Sequence, residues 1–178
     1  MEKSSHTKMI SSLLIASLLT ISLIALPSYS NAKKKEETKR SFPAFIFSAN
    51  DINGNKIDLA NYVGKKLIIV NFWATWCPPC RFELPGLIKL QNIYKEKIQI
   101  IGVSLDRSLS DIKNFKESKP NYPIIWDSDN EIAYLYGGIA SIPTTFIINK
   151  DGKIVERLIG ARTFEYFEDT IKKYLPKN

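Results

Sequence analysis

Both cysteines of this chain fall in one stretch, Asn71-Phe72-Trp73-Ala74-Thr75-Trp76-Cys77-Pro78-Pro79-Cys80, with two prolines between them. The stretch lies at a change of periodicity. Before it, Leu67-Ile68-Ile69-Val70 is a short apolar, β-branched run that predicts a buried strand. After it, residues 81–96 carry Leu84, Leu87, Ile88 and Leu90 at helical spacing. Pro78 and Pro79 sit where that helix begins, and a first helical turn tolerates proline because its N–H groups lack an intrahelical partner anyway. Cys77 is thereby put at the N-cap, at the positive end of the helix dipole, where a thiolate is stabilised. A Cys-x-x-Cys by itself also suits half a zinc site or a plain structural disulfide. A bridge closing only two residues removes little chain entropy and makes a poor staple. The sole histidine, His6, lies far off in the first segment of the chain, and two cysteines are too few for a four-coordinate zinc site.

The run from Phe72 to Cys80 resembles the active site of the thioredoxin superfamily. Its continuation, Arg81-Phe82-Glu83-Leu84-Pro85, narrows the resemblance to the TlpA/ResA-like branch of exported thiol–disulfide oxidoreductases. The resemblance covers residues 42–175 and is most specific over residues 73–85 and at Ile142-Pro143-Thr144. It implies a thioredoxin-like α/β fold: a central mixed β-sheet flanked by helices, with an N-terminal β-hairpin and a central helix–strand insert. It also implies protein-disulfide reduction through a redox-active Cys77–Cys80 disulfide, with no other cofactor and no metal. Pro143 is then a cis proline beside the pair, and the backbone at Ile142 pairs with the substrate chain. Trp76 is expected on the active-site rim as a substrate platform, and Trp73 in the core. Gly160 reads either as a glycine that lets a partner's backbone approach or as a simple strand end.

Cys77 at the helix end is expected to be partly exposed and to attack; Cys80, one turn in, is expected to be shielded and to resolve the mixed disulfide. The prolines bear on direction. Having no N–H, they leave chiefly the Cys80 amide to hold a Cys77 thiolate, so the reduced form is less stabilised and the pair is expected to act as a reductant. In plain thioredoxin a buried aspartate on the preceding strand helps carry the proton of the second thiol. That position here is Asn71, which does not ionise, and Glu83 resembles the glutamate the TlpA/ResA branch carries instead. Partly buried near Cys80, Glu83 would have a raised pKa suited to acid–base work; as a surface residue it would only stabilise a helix N-terminus.

The remaining pattern alternates strand and helix, which implies a parallel core with covering helices. Phe45-Ile46-Phe47 and Lys56-Ile57-Asp58-Leu59 flank Asp51-Ile52-Asn53-Gly54 and predict an N-terminal hairpin beside the main sheet. Residues 98–104 predict a strand, residues 108–118 a helix capped by Ser108 or Ser110, and residues 124–126 a short strand. Residues 130–136 predict a short helix ended by Gly137-Gly138. Strands on either side of Lys150-Asp151-Gly152 form a hairpin, and Thr163 caps a last helix with Phe164, Phe167, Ile171 and Leu175 on one face.

The formal charge is +7, but its distribution argues against nucleic acid. Five basic residues against Glu36 and Glu37 fill the linker, residues 33–41, whereas residues 42–178 hold 18 Lys and Arg against 15 Asp and Glu, with no basic stripe. The domain is expected over residues 42–178, as a monomer. Its expected partners are protein disulfides, with apocytochrome c among them by resemblance, and a membrane thiol–disulfide electron donor.

Residues 1–32 read as a signal peptide: Lys3 and Lys8 precede a mostly apolar run of about 18 residues, and Ser30-Asn31-Ala32 supplies small residues for cleavage. No cysteine follows the run, which excludes a lipoprotein anchor. An uncleaved anchor is the alternative, although the basic cluster behind the run is the larger one, against the positive-inside rule. Either form puts the domain in the periplasm or on the outer face of the cytoplasmic membrane. Rival functions are a disulfide oxidase or isomerase, a non-enzymatic assembly module and a thiol peroxidase. The last would want a threonine three residues before its cysteine, where Ala74 stands. The expected cleavage after Ala32 gives a mature chain beginning at Lys33. N-terminal sequencing from the native host checks it, and an intact Met1 in the membrane fraction would support the anchor instead.

Overall fold

The computed structural model describes residues 41–175. The expected signal peptide and all of the linker except Ser41 lie outside the described residues. Among the described residues no helix is long and apolar enough to cross a membrane. In chain order the elements are β1 (Phe42–Pro43), β2 (Ser48–Asn50), β3 (Lys56–Asp58), a 3-10 turn (Leu59–Asn61), β4 (Leu67–Trp73), α1 (Pro78–Tyr94), β5 (Ile98–Ser104) and α2 (Leu109–Asn114). Then follow β6 (Ile124–Trp126), α3 (Glu131–Leu135), β7 (Thr144–Ile148), β8 (Lys153–Ile159) and α4 (Phe164–Lys172).

All seven residues of β4 are buried, so the strand is covered on both faces. It lies inside a six-stranded mixed sheet of order β1-β8-β7-β4-β5-β6. β5 runs parallel to β4 and β6 parallel to β5, while β7 is antiparallel to β4. Alternate β4 side chains serve opposite cores. Leu67, Ile69 and Trp73 pack with Leu84, Leu87 and Leu90 of α1 and with Phe167 and Ile171 of α4. Ile68, Val70 and Phe72 pack with Phe146, Ile148, the α3 residues Ile132 and Ala133, and Tyr136 just past the end of that helix. Each buried Leu or Phe side chain contributes roughly 1.5–3 kcal/mol.

The N-terminal hairpin forms, but its first strand is Ser48–Asn50 rather than residues 45–47. The Asp51 carboxylate accepts from the main-chain N–H groups of Asn53 (2.9 Å) and Asn55 (2.8 Å), which makes a longer turn than a two-residue Asn-Gly loop. The hairpin is its own two-stranded sheet, joined to the edge of the main one where Ile52 N–H donates to the Ile124 carbonyl (2.8 Å). Phe45 and Phe47 instead lay their rings against Tyr136, each with centroids 6.2 Å away. Phe42 and Pro43 form an unexpected edge strand on β8, a place where proline removes no needed donor.

The insert has the expected parts, with a shorter helix. Ser108 caps α2 by accepting from the Asp111 N–H (3.2 Å), and the helix ends at Asn114 because Phe115 turns extended to set its ring against Trp73, 5.7 Å away. α3 is capped by Asp127, whose carboxylate accepts from the Ile132 and Ala133 N–H groups, rather than by the side chain of Asn130.

Gly102 of β5 lies opposite Asn71 in the parallel ladder. A Cβ there would collide with Ile124 Cδ1 and stand 3.1 Å from Trp73 Nε1 and 3.4 Å from Tyr122 Cε2. The tip of Ile124 can rotate away, whereas the fully buried indole cannot. Gly102→Ala is therefore expected to lose about 1–3 kcal/mol of stability, measured as a lower urea midpoint at an unchanged slope.

Candidate active site

β4 ends at Trp73, and the chain turns through Ala74, Thr75 and Trp76 to Cys77, the N-cap of α1 with φ −92° and ψ 108°. Pro78 and Pro79 occupy the first helical positions, as the first turn permits. One side chain holds that turn. The Asp106 carboxylate accepts from the Thr75 N–H (3.1 Å), the Thr75 hydroxyl (2.6 Å) and the Ser104 hydroxyl (2.7 Å). Trp126 Nε1–H donates to the Asp106 carbonyl (2.9 Å), so the insert's strand braces the same point. Sequence reasoning missed Asp106. Its one signal was a Ser-x-Asp at the carboxyl end of the strand next to β4, where parallel sheets collect functional loops.

Cys77 and Cys80 form a disulfide with Cα atoms 5.3 Å apart. The Cys80 N–H donates to Cys77 Sγ (3.3 Å), the one amide that the two prolines leave available. Cys77 Sγ lies 3.7 Å from the carbonyl oxygen of Ile142, and the Ile142–Pro143 peptide bond is cis. The expected partial exposure of Cys77 needs correction: in the oxidised protein it is 3% exposed and Cys80 0%. Its sulfur is tucked between the Ile142 carbonyl and the Cys80 amide. Exposure at this edge comes from neighbours, Trp76 at 61% and Phe82 at 66%, while Trp73 is core at 1%. Gly160 takes φ +84° just past β8, a strand-end turn that favours glycine.

Glu83 is not a surface glutamate. It is 1% exposed, one helical turn beyond Cys80 on the inward side of α1. Asn71 Nδ2 donates to its Oε1 (2.8 Å) and to Thr145 Oγ1 (2.9 Å), and the Arg162 main-chain N–H donates to its Oε2 (3.2 Å). Burial raises its pKa from 4.5 to about 7, with the Asn71 and Arg162 hydrogen bonds and the Arg162 charge pulling the other way. The buried Asn71 Oδ1 has no hydrogen-bond partner. The amide of Asn71 on the strand thus faces the helix carboxylate directly.

The profile of the AhpC/TSA family matches residues 39–157. The ResA thiol–disulfide oxidoreductase of Bacillus cereus is 37% identical over 150 residues, covering 83% of this chain and 84% of that one. The chain belongs to the AhpC/TSA family as a ResA-like thiol–disulfide oxidoreductase. The Bacillus subtilis ResA is 32% identical over 144 residues, covering 80% of this chain and 79% of that protein. In structure, the ResA-like chain is similar to a thiol:disulfide interchange protein of Chlorobium tepidum, with a TM-score of 0.70 and 32% identity, covering 76% of this chain and 97% of that one.

In this ResA-like protein the raised Glu83 pKa carries a stability consequence. Between 4.5 and about 7 the native state keeps a proton on Glu83 that the unfolded chain has lost, so stability falls as pH rises through that window. The loss amounts to about 3 kcal/mol. Urea unfolding of the oxidised parental and Glu83→Gln proteins is expected to diverge by that amount across the window, in favour of Gln. Parallel curves would mean that Glu83 ionises as it does in water.

Proposed function

We propose that this thiol–disulfide oxidoreductase reduces protein disulfides outside the cytoplasm, with Cys77 as nucleophile, Cys80 as resolving thiol and Glu83 as proton carrier. In the forward half, the Cys77 thiolate attacks one substrate sulfur, the substrate S–S bond breaks, and the departing sulfur leaves as a thiolate that takes up a proton. A Cys77–substrate disulfide remains. The Cys80 thiol then gives its proton to Glu83 and attacks Cys77 Sγ, which releases the second substrate sulfur and restores the Cys77–Cys80 bridge. The second sulfur leaves as a thiolate and takes up the proton that Glu83 holds, so two electrons pass to the substrate with two protons, one from water and one through Glu83. A thiol donor of the membrane, implied by resemblance, would return the electrons.

The observation that carries this reading is the burial of Glu83 one turn from Cys80, with its ionisation brought near neutrality. A carboxyl group with that pKa can both accept and return a proton at physiological pH. Asn71 suits both states. As it stands its amide donates to the carboxylate, and turned over it would offer its oxygen to the protonated acid. The reductive direction is supported by the single amide that reaches Cys77 Sγ, since a sparsely held thiolate makes the dithiol the better electron donor. Ile142, whose carbonyl lies beside Cys77, and Pro143 would align the substrate chain, and Trp76 would cover it from the rim. A haem-attachment cysteine pair of apocytochrome c is the substrate that the family resemblance favours. The proposed location, after export of the domain over residues 42–178 by the segment before the linker, is the periplasm or the outer face of the cytoplasmic membrane.

Glu83→Gln is expected to slow disulfide reduction by roughly tenfold to a thousandfold, around the range for one acid–base group, and to remove an inflection near pH 7 from the rate profile. Adding Asn71→Asp to that variant should recover part of the rate, because position 71 faces the same spot. Parental rates for Glu83→Gln across roughly pH 6 to 9 would sink the proton role. Substrates themselves can be named by isolating the mixed disulfides that a Cys80→Ser variant holds.

A further inference from the structure

The turn that follows β8 touches both the cis-proline ridge and the buried acid with its main chain. Gly160 N–H donates to the Pro143 carbonyl (2.8 Å), and Arg162 N–H donates to Glu83 Oε2 (3.2 Å). The side chain of Arg162 folds back on this same turn. Its Nη1 donates to the carbonyls of Gly160 (3.2 Å) and Ala161 (2.9 Å), and its Nη2 to the carbonyl of Ile159 (3.0 Å). The guanidinium also lies 5.1 Å from the centre of the Tyr166 ring on the first turn of α4. A planar, pre-organised fork of donors holds three carbonyls in one fixed geometry, whereas the three donors of an ammonium sit at a single point on a flexible stem and hold them less rigidly.

The geometry points to Arg162 as a positioning residue, whose side chain clamps residues 159–162 in the shape that gives Pro143 and Glu83 one main-chain hydrogen bond each. This inference rests on reading Glu83 as the proton carrier, and it names what holds that carrier. With φ +84° at Gly160, an unclamped turn has ready access to other shapes, and the Arg162 N–H would lose its aim. The groups that face Glu83 are few. Asn71 reaches it from β4 and holds Thr145 of β7 on its other side; Arg162 comes from the turn; the Tyr122 hydroxyl feels its charge from the segment before β6; the cysteine pair precedes it on α1. Of these, Arg162 carries positive charge. Its N–H and its charge both favour the carboxylate, and only burial opposes them. Loss of the clamp therefore makes Glu83 hold its proton more tightly.

Two variants separate shape from charge. Arg162→Met keeps an unbranched stem and removes both, whereas Arg162→Lys keeps the charge and removes the fork. The readout is the Glu83 carboxyl carbon signal, followed against pH by NMR in the oxidised full-length protein labelled with 13C-glutamate, and assigned by its absence in Glu83→Gln. Arg162→Met is expected to move the Glu83 midpoint upward by about one pH unit, and Arg162→Lys to move it most of that way. The pH–rate inflection should move in the same direction. An unmoved midpoint in Arg162→Met overturns the inference, and so does an Arg162→Lys protein that titrates like the parent, because charge alone would then suffice. The carboxyl signal needs no substrate. If Glu83→Gln were to reduce substrate at the parental rate, the proton role would fall while the midpoint shift in Arg162→Lys would still report the clamp.

Discussion

A carboxyl group kept out of water must find its hydrogen-bond partners inside the fold, and Glu83 finds them on elements far apart in the chain. Asn71 comes from the central strand β4 and Arg162 from the turn after β8, 79 residues after Glu83. Neither partner neutralises Glu83 with a direct side-chain ion pair, so burial prevails and the group titrates near neutrality. That balance depends on the rest of the architecture. β4 and β7 must pair in register to bring Thr145 beside Asn71, and the β8 turn must close over α1. Ionising such a group costs the native state about 3 kcal/mol, a sizeable part of the stability of a single domain. A strictly structural site would be better served by an apolar side chain of similar volume. That cost, together with the position of Glu83 one turn from Cys80, supports the proposed role of Glu83 as proton carrier.

The cysteine pair illustrates a second economy of the same helix. Placing Cys77 at the N-cap would normally offer its sulfur several free N–H groups and a favourable dipole. Pro78 and Pro79 remove two of those donors without disturbing the helix, because the first turn does not use them internally. One hydrogen bond from Cys80 remains. In the proposed reduction the helix dipole favours the Cys77 thiolate, while the thinned donor set limits how far the reduced form is stabilised, so reactivity and redox poise rest on different features of one helical turn.

The site is also rigid where it meets the sheet. Asp106 fastens the turn before Cys77 to the carboxyl end of β5, and Trp126 fastens Asp106 to β6. The strand of the central insert thus supports the loop that presents Cys77, the proposed nucleophile. On the other side of the disulfide, the cis Ile142–Pro143 ridge is tied through Gly160 to the turn that carries Arg162. The proposed substrate ridge and the proposed proton carrier therefore share one support.

Much of this was legible in residue order, because the information was local. An apolar run with no alternation marked β4 as buried on both faces, two prolines after a cysteine marked a helix start, and Ser108 and Thr163 marked their own caps. The cysteine spacing pointed to thiol–disulfide exchange because it fell between a strand and a helix start, where a Cys-x-x-Cys alone would have left other readings open. Tertiary structure decided the rest. Phe45 and Phe47 left the hairpin for the ring of Tyr136, and Phe115 ended α2 to reach Trp73; both are aromatic contacts at long sequence separation that outweigh local propensity. The burial of Cys77, the anchoring by Asp106 and the environment of Glu83 depended on residues 31 to 79 positions away. Sequence by itself settled which groups could react. Only the packed fold, by excluding water and fixing which amides point where, decided how strongly each of them holds its proton.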